Sequence, residues 1–257
     1  MRRVILPPEA FEAGGIIYIR GSAYRHLVRV LRLKPGDLLS ASDGRGRECV
    51  ARLAWVEEDV AGAEVVADGR VRSEPALEVT LMPALSKGDK LELVIRKATE
   101  LGVSRIVPVA GRRSVVKLDG ERRAERRRHW QAVAVAAAEQ CGRSLAPRVD
   151  EVQGLKEALE GLPPGTSVLM PWEGERQKSL RGVLSRLGTP QPRRVALLVG
   201  PEGGWDPAEV NEAVSRGAVT VSLGPRILRC ETAAVVAVAL VMYEWGDLGG
   251  FEEEKLG

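Results

Sequence analysis

Leu197–Ala233 reads LLVGPEGGWDPAEVNEAVSRGAVTVSLGPRILRCETA. Two apolar strands in this segment each run into a turn that is rich in glycine and proline, and each turn leads into a helix. Strands that alternate with helices predict a mostly parallel sheet with helices on its faces. Because open sheets of this kind bind ligands at the carboxyl ends of their strands, the segment predicts an α/β domain whose ligand site is built by these two turns.

The first turn is Gly200-Pro201-Glu202-Gly203-Gly204, and it leads into a helix that begins near Asp206. Glycines after a strand let the backbone approach a ligand closely, and a helix N-terminus attracts anionic groups. The turn has neither the GxGxxG pattern of dinucleotide sites nor the Gly-Lys-Ser/Thr of phosphate-binding loops. By itself it is equally compatible with a plain tight turn.

The second turn, Ser222–Thr232, contains Arg226, Arg229 and Glu231 in a connection where a few small residues would suffice. Charged side chains are costly to bury unless they are paired, so their crowding at a strand end favours a ligand site. The alternative is an ion pair that only closes the loop.

A third predicted strand, Ser167–Met170, is followed directly by Pro171 and Trp172. The large flat indole could form the wall of an apolar or aromatic pocket. Core packing of Trp172 is at least as compatible with the local sequence.

The composition indicates a soluble globular protein, which we expect in the cytosol. Of the 257 residues, 44% are hydrophobic and 28% are charged, which is ordinary for this class. No apolar run approaches the roughly 20 residues that cross a bilayer, and the N-terminal apolar stretch is too short for a signal peptide. The three cysteines and two histidines have no zinc-binding spacing, so no metal is expected.

The charge is unevenly distributed along the chain. Residues 1–145 contain 26 Lys and Arg against 19 Asp and Glu, whereas residues 146–257 contain 12 against 16. The first part therefore suits a polyanion. A GC-rich genome would also enrich arginine, and this alternative remains open.

Two groups of basic residues favour a nucleic-acid surface in this first part. One is the arginine-rich stretch from Arg105 to Arg128. The other is Arg25, Arg29 and Arg32, which are spaced i, i+4, i+7 on a helix predicted near Ser22–Leu33. A solvated helix face is the alternative for either group.

The chain divides into two predicted domains, residues 1–72 and residues 73–257, with a junction at Ser73-Glu74-Pro75. The first has short strands separated by Gly/Asp turns, at Gly15–Arg20, Asp37–Ser40, Glu48–Val56 and Ala61–Val66, which suggests a compact β-barrel. In the second, strands at Leu77–Met82, Arg105–Val109, Ser167–Met170, Val195–Val199 and Ala218–Leu223 alternate with helices at Asp89–Leu101, Glu121–Gln140, Lys178–Leu187, from Asp206 onward, and at Thr232–Trp245.

Helix boundaries in the second domain carry recognisable signals. Asp89 with Glu92, and Asp206 with Glu209, have the capping-box pattern. The final helix is apolar on almost every side, which is typical of a buried helix or of one in a subunit interface.

The turns LVGPEGGW and SLGPRILRCETA resemble those of the 16S ribosomal RNA uridine-N3 methyltransferases, the RsmE family of the SPOUT superfamily. Similar stretches elsewhere are SKGDKLELVIRKATELGV, VVKLDGER at Val115–Arg122, HWQAVAVAAAEQCGR at His129–Arg143, and HLVRVLRLKPGD in the first domain. The resemblance covers nearly the whole chain. The sequence departs from the family at Cys230, where threonine is expected.

The resemblance implies a PUA-like β-barrel domain followed by a trefoil-knotted α/β domain, a homodimer, and 16S ribosomal RNA or the small ribosomal subunit as partner. It also implies S-adenosylmethionine in a cup formed by three turns, which we call the tryptophan turn (Met170–Trp172), the glycine turn (Leu198–Gly204) and the arginine turn (Leu223–Arg229). The expected cofactor-binding residues are Met170, Pro171, Trp172, Leu198, Val199, Gly200, Glu202, Gly203, Ser222, Leu223, Gly224, Ile227, Leu228, Arg229 and Thr232. The expected RNA-binding residues are Arg25, Arg29, Arg32, Lys97, Arg112, Arg122, Arg126 and Arg143.

The implied reaction constrains the catalytic groups. Uracil N3 carries a proton and is a poor nucleophile until that proton leaves, so the site needs a base or a cation that stabilises the uracil anion. Arg229 is the candidate cation, and Glu231 is the candidate for orienting it or relaying the proton. Cys230 is either a nucleophile or a small packing residue. Two alternatives remain, namely a ribose 2′-O-methyltransferase on the same scaffold and a non-catalytic RNA-binding module.

Overall fold

The structure, a computed structural model, describes residues 2–11, 14–68, 74–86, 88–113, 120–188 and 192–249. These residues divide into two compact units. Unit 1 comprises Met1–Glu74 and Val135–Ala146, and unit 2 comprises Pro75–Ala134 and Pro147–Gly257. The predicted junction between residues 72 and 73, and residues 114–119 of the arginine-rich stretch, lie outside the described residues. The sequence did not predict that a segment from the second half of the chain belongs to unit 1.

Unit 1 is built on a five-stranded sheet of β1 (Arg2–Ile5), β2 (Ile16–Arg20), β3 (Leu38–Ser42), β4 (Glu48–Val56) and β5 (Val60–Asp68). The strand order is β1-β3-β4-β5-β2, with β1 parallel to β3 and the other neighbours antiparallel. Alternate residues such as Leu39, Ala51 and Leu53 point into one apolar core. Among the described residues, β1 and β2 lie at the two ends of this strand order, and Phe11 forms an antiparallel bridge with Ile17 of β2.

The helix predicted near Ser22–Leu33 is shorter than the sequence suggests. A short α1 (Gly21–Tyr24) continues into a π-helical segment, Arg25–Val30, and ends there. Arg32 lies past this end with a left-handed backbone, at φ 56°. The predicted i, i+4, i+7 face of Arg25, Arg29 and Arg32 is therefore wrong, because a π-helix has a wider turn and Arg32 is outside it. All three side chains are nevertheless exposed.

A buried polar network links three strands of unit 1 to the segment that the sequence did not place there. The carboxylate of Glu48 accepts hydrogen bonds from Arg3 Nη2 (2.5 Å), Ser40 Oγ (2.9 Å) and Ser144 Oγ (2.7 Å). Ser42 Oγ also donates to the Ser144 carbonyl oxygen at 2.7 Å. Burial raises the pKa of Glu48, but the bonds from Ser144 and Ser40 and the charge of Arg3 together lower it below the usual 4.5.

Replacing Glu48 by alanine is expected to destabilise unit 1 by about 3 kcal/mol, because a partly buried arginine and two buried hydroxyls lose their acceptor. A carboxyl whose pKa is depressed by folding stabilises the fold above its unfolded pKa, and this contribution is lost as the pH falls through the folded value. The protection factors of the β3 and β4 amides, which correct for the pH dependence of intrinsic exchange, should therefore fall below pH 4.5 in the wild type. Glu48→Gln should remove this acid dependence, and an unchanged pH profile in that variant would contradict the assignment.

Unit 2 alternates strands and helices. Its strands are β6 (Glu78–Pro83), β7 (Arg105–Ile106), β8 (Val109–Ala110), β9 (Arg148–Val149), β10 (Gln153–Gly154), β11 (Ser167–Pro171), β12 (Arg194–Val199) and β13 (Val219–Val221). Its helices are α2 (Lys90–Glu100), α3 (Gly120–Cys141, which continues into the unit 1 segment), α4 (Leu155–Glu160), α5 (Leu180–Leu187), α6 (Pro207–Ser215) and α7 (Cys230–Trp245). β10 pairs with β8, and the other strands form one sheet in the order β13-β11-β12-β6-β7-β9, parallel throughout.

Helices cover both faces of this parallel sheet, as predicted. Leu197 of β12 packs in one core with residues of α2, α5 and α7, whereas its neighbours Ala196 and Leu198 pack in a second core with residues of α4 and α6. Successive strand residues point to opposite faces, so an almost uninterrupted apolar strand serves two cores.

Two local predictions in unit 2 are wrong. The strand predicted at Arg105–Val109 is two short strands in different sheets, interrupted at Pro108, which has no N–H to donate to a ladder. Asp89 precedes α2 but makes no side-chain capping bond. Its presumed partner Glu92 instead contacts His129 Nε2 at 2.9 Å, so a tertiary contact takes the place of the capping box.

Candidate active site

The three turns lie at one edge of the parallel sheet. The tryptophan turn contains the end of β11, the glycine turn contains the end of β12, and the arginine turn follows β13. These strands are parallel and adjacent in the order β13-β11-β12, so their carboxyl ends share one edge. The sheet topology therefore brings together segments that are up to about sixty residues apart in sequence.

The glycine turn needs glycine at two positions for different reasons. Gly204 has φ 67°, a left-handed backbone that other residues rarely adopt, and its N–H donates to the Pro201 carbonyl oxygen at 3.0 Å. A Cβ on Gly200 would lie 3.1 Å from the indole of Trp205, which is only 2% exposed. The backbone of Gly200 therefore packs directly on a fixed aromatic ring.

The helix that follows the glycine turn is capped as predicted, with Pro207 at its first position. The Asp206 side chain accepts from a backbone N–H of the first turn, and Glu209 Oε2 accepts from the Asp206 N–H at 3.0 Å. Buried Glu209 also accepts the backbone N–H of Arg112 at 2.7 Å. Arg113 Nη1 donates to the Gly203 carbonyl oxygen at 3.0 Å. These bonds attach the segment around Arg112 to the glycine turn.

Asp206→Ala is expected to lower the free energy of unfolding by about 1 kcal/mol, the usual cost of a lost helix cap. It should also accelerate hydrogen exchange at Gly203 and Gly204, because Arg113 loses its second contact, at 3.4 Å to Asp206 Oδ2. Ser179→Ala is the matched control, since Ser179 caps α5 by accepting from the Gly182 N–H. Equal acceleration at the glycine turn in both variants would contradict this account.

Val221 and Ser222, which lead into the arginine turn, are hydrogen-bonded to the segment around the tryptophan turn. The Val221 carbonyl oxygen accepts from the Trp172 N–H at 3.0 Å. The Ser222 N–H donates to the Lys178 carbonyl oxygen at 2.8 Å, and the Ser222 carbonyl oxygen accepts from the Leu180 N–H at 3.0 Å. The start of the arginine turn is thereby fixed between residues of two other elements.

A cavity of about 700 Å³ lies between the three turns. Most of the predicted cofactor residues line it, namely Pro171, Trp172, Val199, Gly200, Glu202, Gly203, Ser222, Leu223, Gly224, Ile227, Leu228 and Arg229. Met170 and Leu198 do not, because their side chains are fully buried in the second core. Thr232 is exposed on α7 and is also outside the lining.

The lining also contains residues that the sequence analysis did not select as cofactor-binding, namely Lys90, Glu173, Arg176, Pro201, Gly204, Pro225, Arg226, Cys230 and Ala233. Most of them fall within or beside the three turns, so they could have been predicted as neighbours of the selected residues. Lys90 could not have been predicted in this way, because it comes from the start of α2, more than seventy residues before the nearest turn.

A charged cluster surrounds Cys230 in this cavity. Lys90 Nζ lies 2.9 Å from Glu202 Oε1, and Cys230 Sγ donates to Glu231 Oε2 at 3.1 Å. Burial, the bond to Glu231 and the charge of Glu202 raise the pKa of Cys230 to about 11. The residue is therefore a thiol at neutral pH, which argues against the nucleophile interpretation.

The pKa of Glu231 lies below its usual value, because its carboxylate accepts from its own backbone N–H and from the Cys230 thiol, and lies near Lys90 and Arg229. The carboxylate is not in the lining itself but is bonded to a residue that is. Arg229 is exposed, lines the cavity and precedes α7 without a side-chain capping bond. The two predicted catalytic residues thus lie together at the N-terminus of α7.

The predicted RNA-binding residues have different surroundings. Arg25, Arg29 and Arg32 of unit 1 are exposed, as are Lys97, Arg112, Arg122 and Arg126 of unit 2. Arg143 is a correction, because its guanidinium pairs with Glu74 at 2.6 Å and its side chain is only 13% exposed. Its environment is that of a structural ion pair within unit 1.

The described ranges contain no group of three or more His, Cys, Asp and Glu side chains that could hold a metal ion. Within the same ranges, every helix is too short or too polar to traverse a bilayer.

Comparison with known proteins shows the family of this chain. The family model for an RNA methyltransferase domain matches residues 73–242, and the model for an RNA methyltransferase PUA domain matches residues 19–56. Ribosomal RNA small subunit methyltransferase E of Bacillus subtilis is 33% identical over 93% of this chain and 94% of its own length. The Mycobacterium tuberculosis protein of the same name is 34% identical over 90% of this chain and 87% of its own length.

Among solved structures, ribosomal RNA small subunit methyltransferase E from Neisseria gonorrhoeae, bound to S-adenosyl methionine, matches with a TM-score of 0.86. It is 34% identical, and the match covers 96% of this chain and 99% of that one. The fold and the paired turns therefore define an RNA methyltransferase. Within that class, the chain belongs to the ribosomal RNA small subunit methyltransferase E family.

Proposed function

We propose that this chain methylates N3 of a specific uridine in 16S ribosomal RNA and uses S-adenosylmethionine as methyl donor. The observation that carries the proposal is the cavity of about 700 Å³ at the ends of three adjacent parallel strands. Its volume is in the range of small-molecule sites. The relatives' names and the S-adenosyl methionine bound to the Neisseria structure support the same substrate and donor.

The lining fits this donor. Gly200 has no side chain between the cavity and the Trp205 ring, so a ligand can approach its backbone closely. Backbone groups of Gly200, Leu223 and Leu228 would bind the adenine and ribose, and Pro171 and Trp172 would form apolar walls. When bound, S-adenosylmethionine supplies a methyl group that is attached to a positively charged sulfur and is therefore open to nucleophilic attack.

The residues of the site would prepare uracil N3 for this attack. Arg229 would stabilise the negative charge that forms when N3 loses its proton. Glu231, which lies beside Arg229 and accepts from Cys230, would orient that cation or accept the proton. Exposed arginines of each unit would bind the RNA backbone. The target base would have to be unstacked, because N3 lies on its pairing edge.

We also propose that the protein acts in the cytosol as a homodimer. The final helix and the arginine turn leave Ile227, Leu240 and Tyr243 exposed at 89%, 42% and 64%. Apolar side chains this exposed favour an interface with a second copy. The trefoil knot implied by the resemblance stays a prediction.

The test is to incubate the purified protein with methyl-labelled S-adenosylmethionine and small ribosomal subunits from cells that lack it, and to identify the labelled nucleoside by mass spectrometry. We expect 3-methyluridine. Label on a ribose 2′-oxygen would support the alternative methyltransferase. Absence of both label and calorimetric binding of S-adenosylmethionine would support a non-catalytic RNA-binding module.

A further inference from the structure

Lys90 lies at the charged cluster of the cavity, although nothing in its local sequence marks it as functional. It is the first residue of α2, it lines the cavity, and its ammonium is 2.9 Å from Glu202 Oε1 of the glycine turn. Both side chains of this pair remain more than one third exposed. Lys90 also interacts electrostatically with Cys230 and Glu231, which lie in the first turn of α7. One ammonium therefore lines the cavity beside the glycine turn and is close enough to Glu231 for their charges to interact.

The proposed reaction needs more than a base. Glu231 already accepts two hydrogen bonds and lies near two cations, which makes its carboxylate a weak base. A weak base can remove the N3 proton only if the acidity of N3 is raised. The negative charge left by that proton is shared between N3 and the two carbonyl oxygens of uracil, so a cation held beside either oxygen raises this acidity.

We propose that Lys90 is a catalytic residue whose ammonium binds a carbonyl oxygen of the target uracil and stabilises the anion formed when N3 loses its proton. This inference rests on the proposed function. An ammonium has three N–H donors, and Glu202 is the one hydrogen-bond partner of Lys90 among the residues that the structure describes. Donors therefore remain for the substrate, while Glu202 is a positioning residue that directs the ammonium into the cavity.

The charges balance in this step. The N3 proton passes to the Glu231 carboxylate, and the electron pair left on N3 forms the bond to the methyl carbon. The bond between that carbon and sulfur breaks, and its electron pair stays on sulfur. The negative charge of the uracil and the positive charge of the sulfonium disappear together. Lys90 therefore stabilises the uracil before the transfer, and the methylated uracil that leaves the site is neutral.

Two non-catalytic roles of Lys90 would have different experimental consequences. A purely structural ion pair would make Lys90 and Glu202 equally important. A contact with an RNA phosphate would act on the affinity for the ribosomal subunit rather than on the rate of transfer, since a phosphate carries the same charge throughout the reaction.

The experiment compares the wild type with Lys90→Gln and Glu202→Gln in single-turnover methyl transfer to small ribosomal subunits that lack the modification. At pH 7 we expect Lys90→Gln to reduce the rate constant by about 100- to 1,000-fold, the usual effect of losing one donor to a developing anion. Glu202→Gln should lose less than tenfold when both variants are saturated with S-adenosylmethionine, because Glu202 also lines the cofactor cavity. Calorimetric affinity for S-adenosylmethionine and binding of the subunit should stay within about threefold in Lys90→Gln.

The pH profile separates an electrostatic role from a structural one. In Lys90→Gln the acidity of N3 returns toward that of free uridine, so the rate should rise with pH and the deficit should shrink above neutrality. Equal losses in the two variants, a deficit that is constant with pH, or a loss confined to subunit or cofactor affinity would each overturn the assignment.

Failure of this inference is distinguishable from failure of the proposed function. If the wild type makes 3-methyluridine and Lys90→Gln is equally fast, only the role of Lys90 is wrong. If the wild type places its label elsewhere, the proposed function fails and the assignment of Lys90 is overturned with it.

Discussion

Arg229→Ala is expected to reduce the rate of methyl transfer by about two to three orders of magnitude, because the uracil anion loses a cation that faces the cavity. The loss should appear in kcat at saturating S-adenosylmethionine, which separates it from any contribution of Arg229 to binding this molecule. Helix α7 should stay intact, since Arg229 precedes it without contributing a side-chain capping bond. Single-turnover kinetics with labelled S-adenosylmethionine measure the effect directly.

Arg226→Ala is the matched control, because Arg226 lies three residues earlier in the same turn and also lines the cavity. It is not one of the proposed catalytic residues, so its loss should cost less than tenfold in kcat. Glu231→Gln, which keeps the size of the side chain but removes its charge, should lower kcat by about 100-fold. Full activity of both Arg229→Ala and Glu231→Gln would remove these residues from the chemistry.

Gly200→Val is expected to weaken S-adenosylmethionine binding by more than about 100-fold, which corresponds to more than 2.7 kcal/mol. The new side chain would lie 3.1 Å or less from the buried Trp205 indole. It would therefore either displace that ring or distort the backbone that borders the cavity. Isothermal titration calorimetry measures the loss of affinity, and the melting temperature reports any accompanying destabilisation.

Gly154→Val provides the control for this substitution. Gly154 also lies in unit 2, is exposed and has no atom within 4 Å of the place that a Cβ would occupy. It has an ordinary extended backbone before α4, with φ −68°. The Gly154→Val variant should bind S-adenosylmethionine with unchanged affinity. Wild-type affinity in the Gly200→Val variant would contradict the position of the cofactor next to Gly200.

Most of the α/β unit could be predicted from sequence because its signals are local. β11, β12 and α7 begin and end within two residues of their predicted bounds, since apolar strands and an apolar helix are encoded by contiguous residues. The capping box at Asp206 was found for the same reason. The glycine turn and arginine turn were likewise visible, because glycine, proline and clustered charges are conspicuous at strand ends.

The features that were missed depend on contacts between distant residues. Glu92 binds His129 rather than the N-terminus of its own helix, and Arg143 pairs with Glu74 instead of remaining available to RNA. Residues 135–146 belong to unit 1 although the chain enters them from unit 2. Lys90 reaches the cavity only through the packing of α2. No local pattern distinguishes these residues from ordinary surface charges or helix positions.

The central claim is that the tryptophan, glycine and arginine turns form one site for S-adenosylmethionine. A crystal structure of the protein soaked or co-crystallised with this molecule tests the claim most directly. We expect the adenine and ribose to contact the backbone of Gly200, Leu223 and Leu228, with the methyl group directed toward Arg229 and Lys90. A molecule bound elsewhere, or one that contacts only one of the three turns, would contradict it.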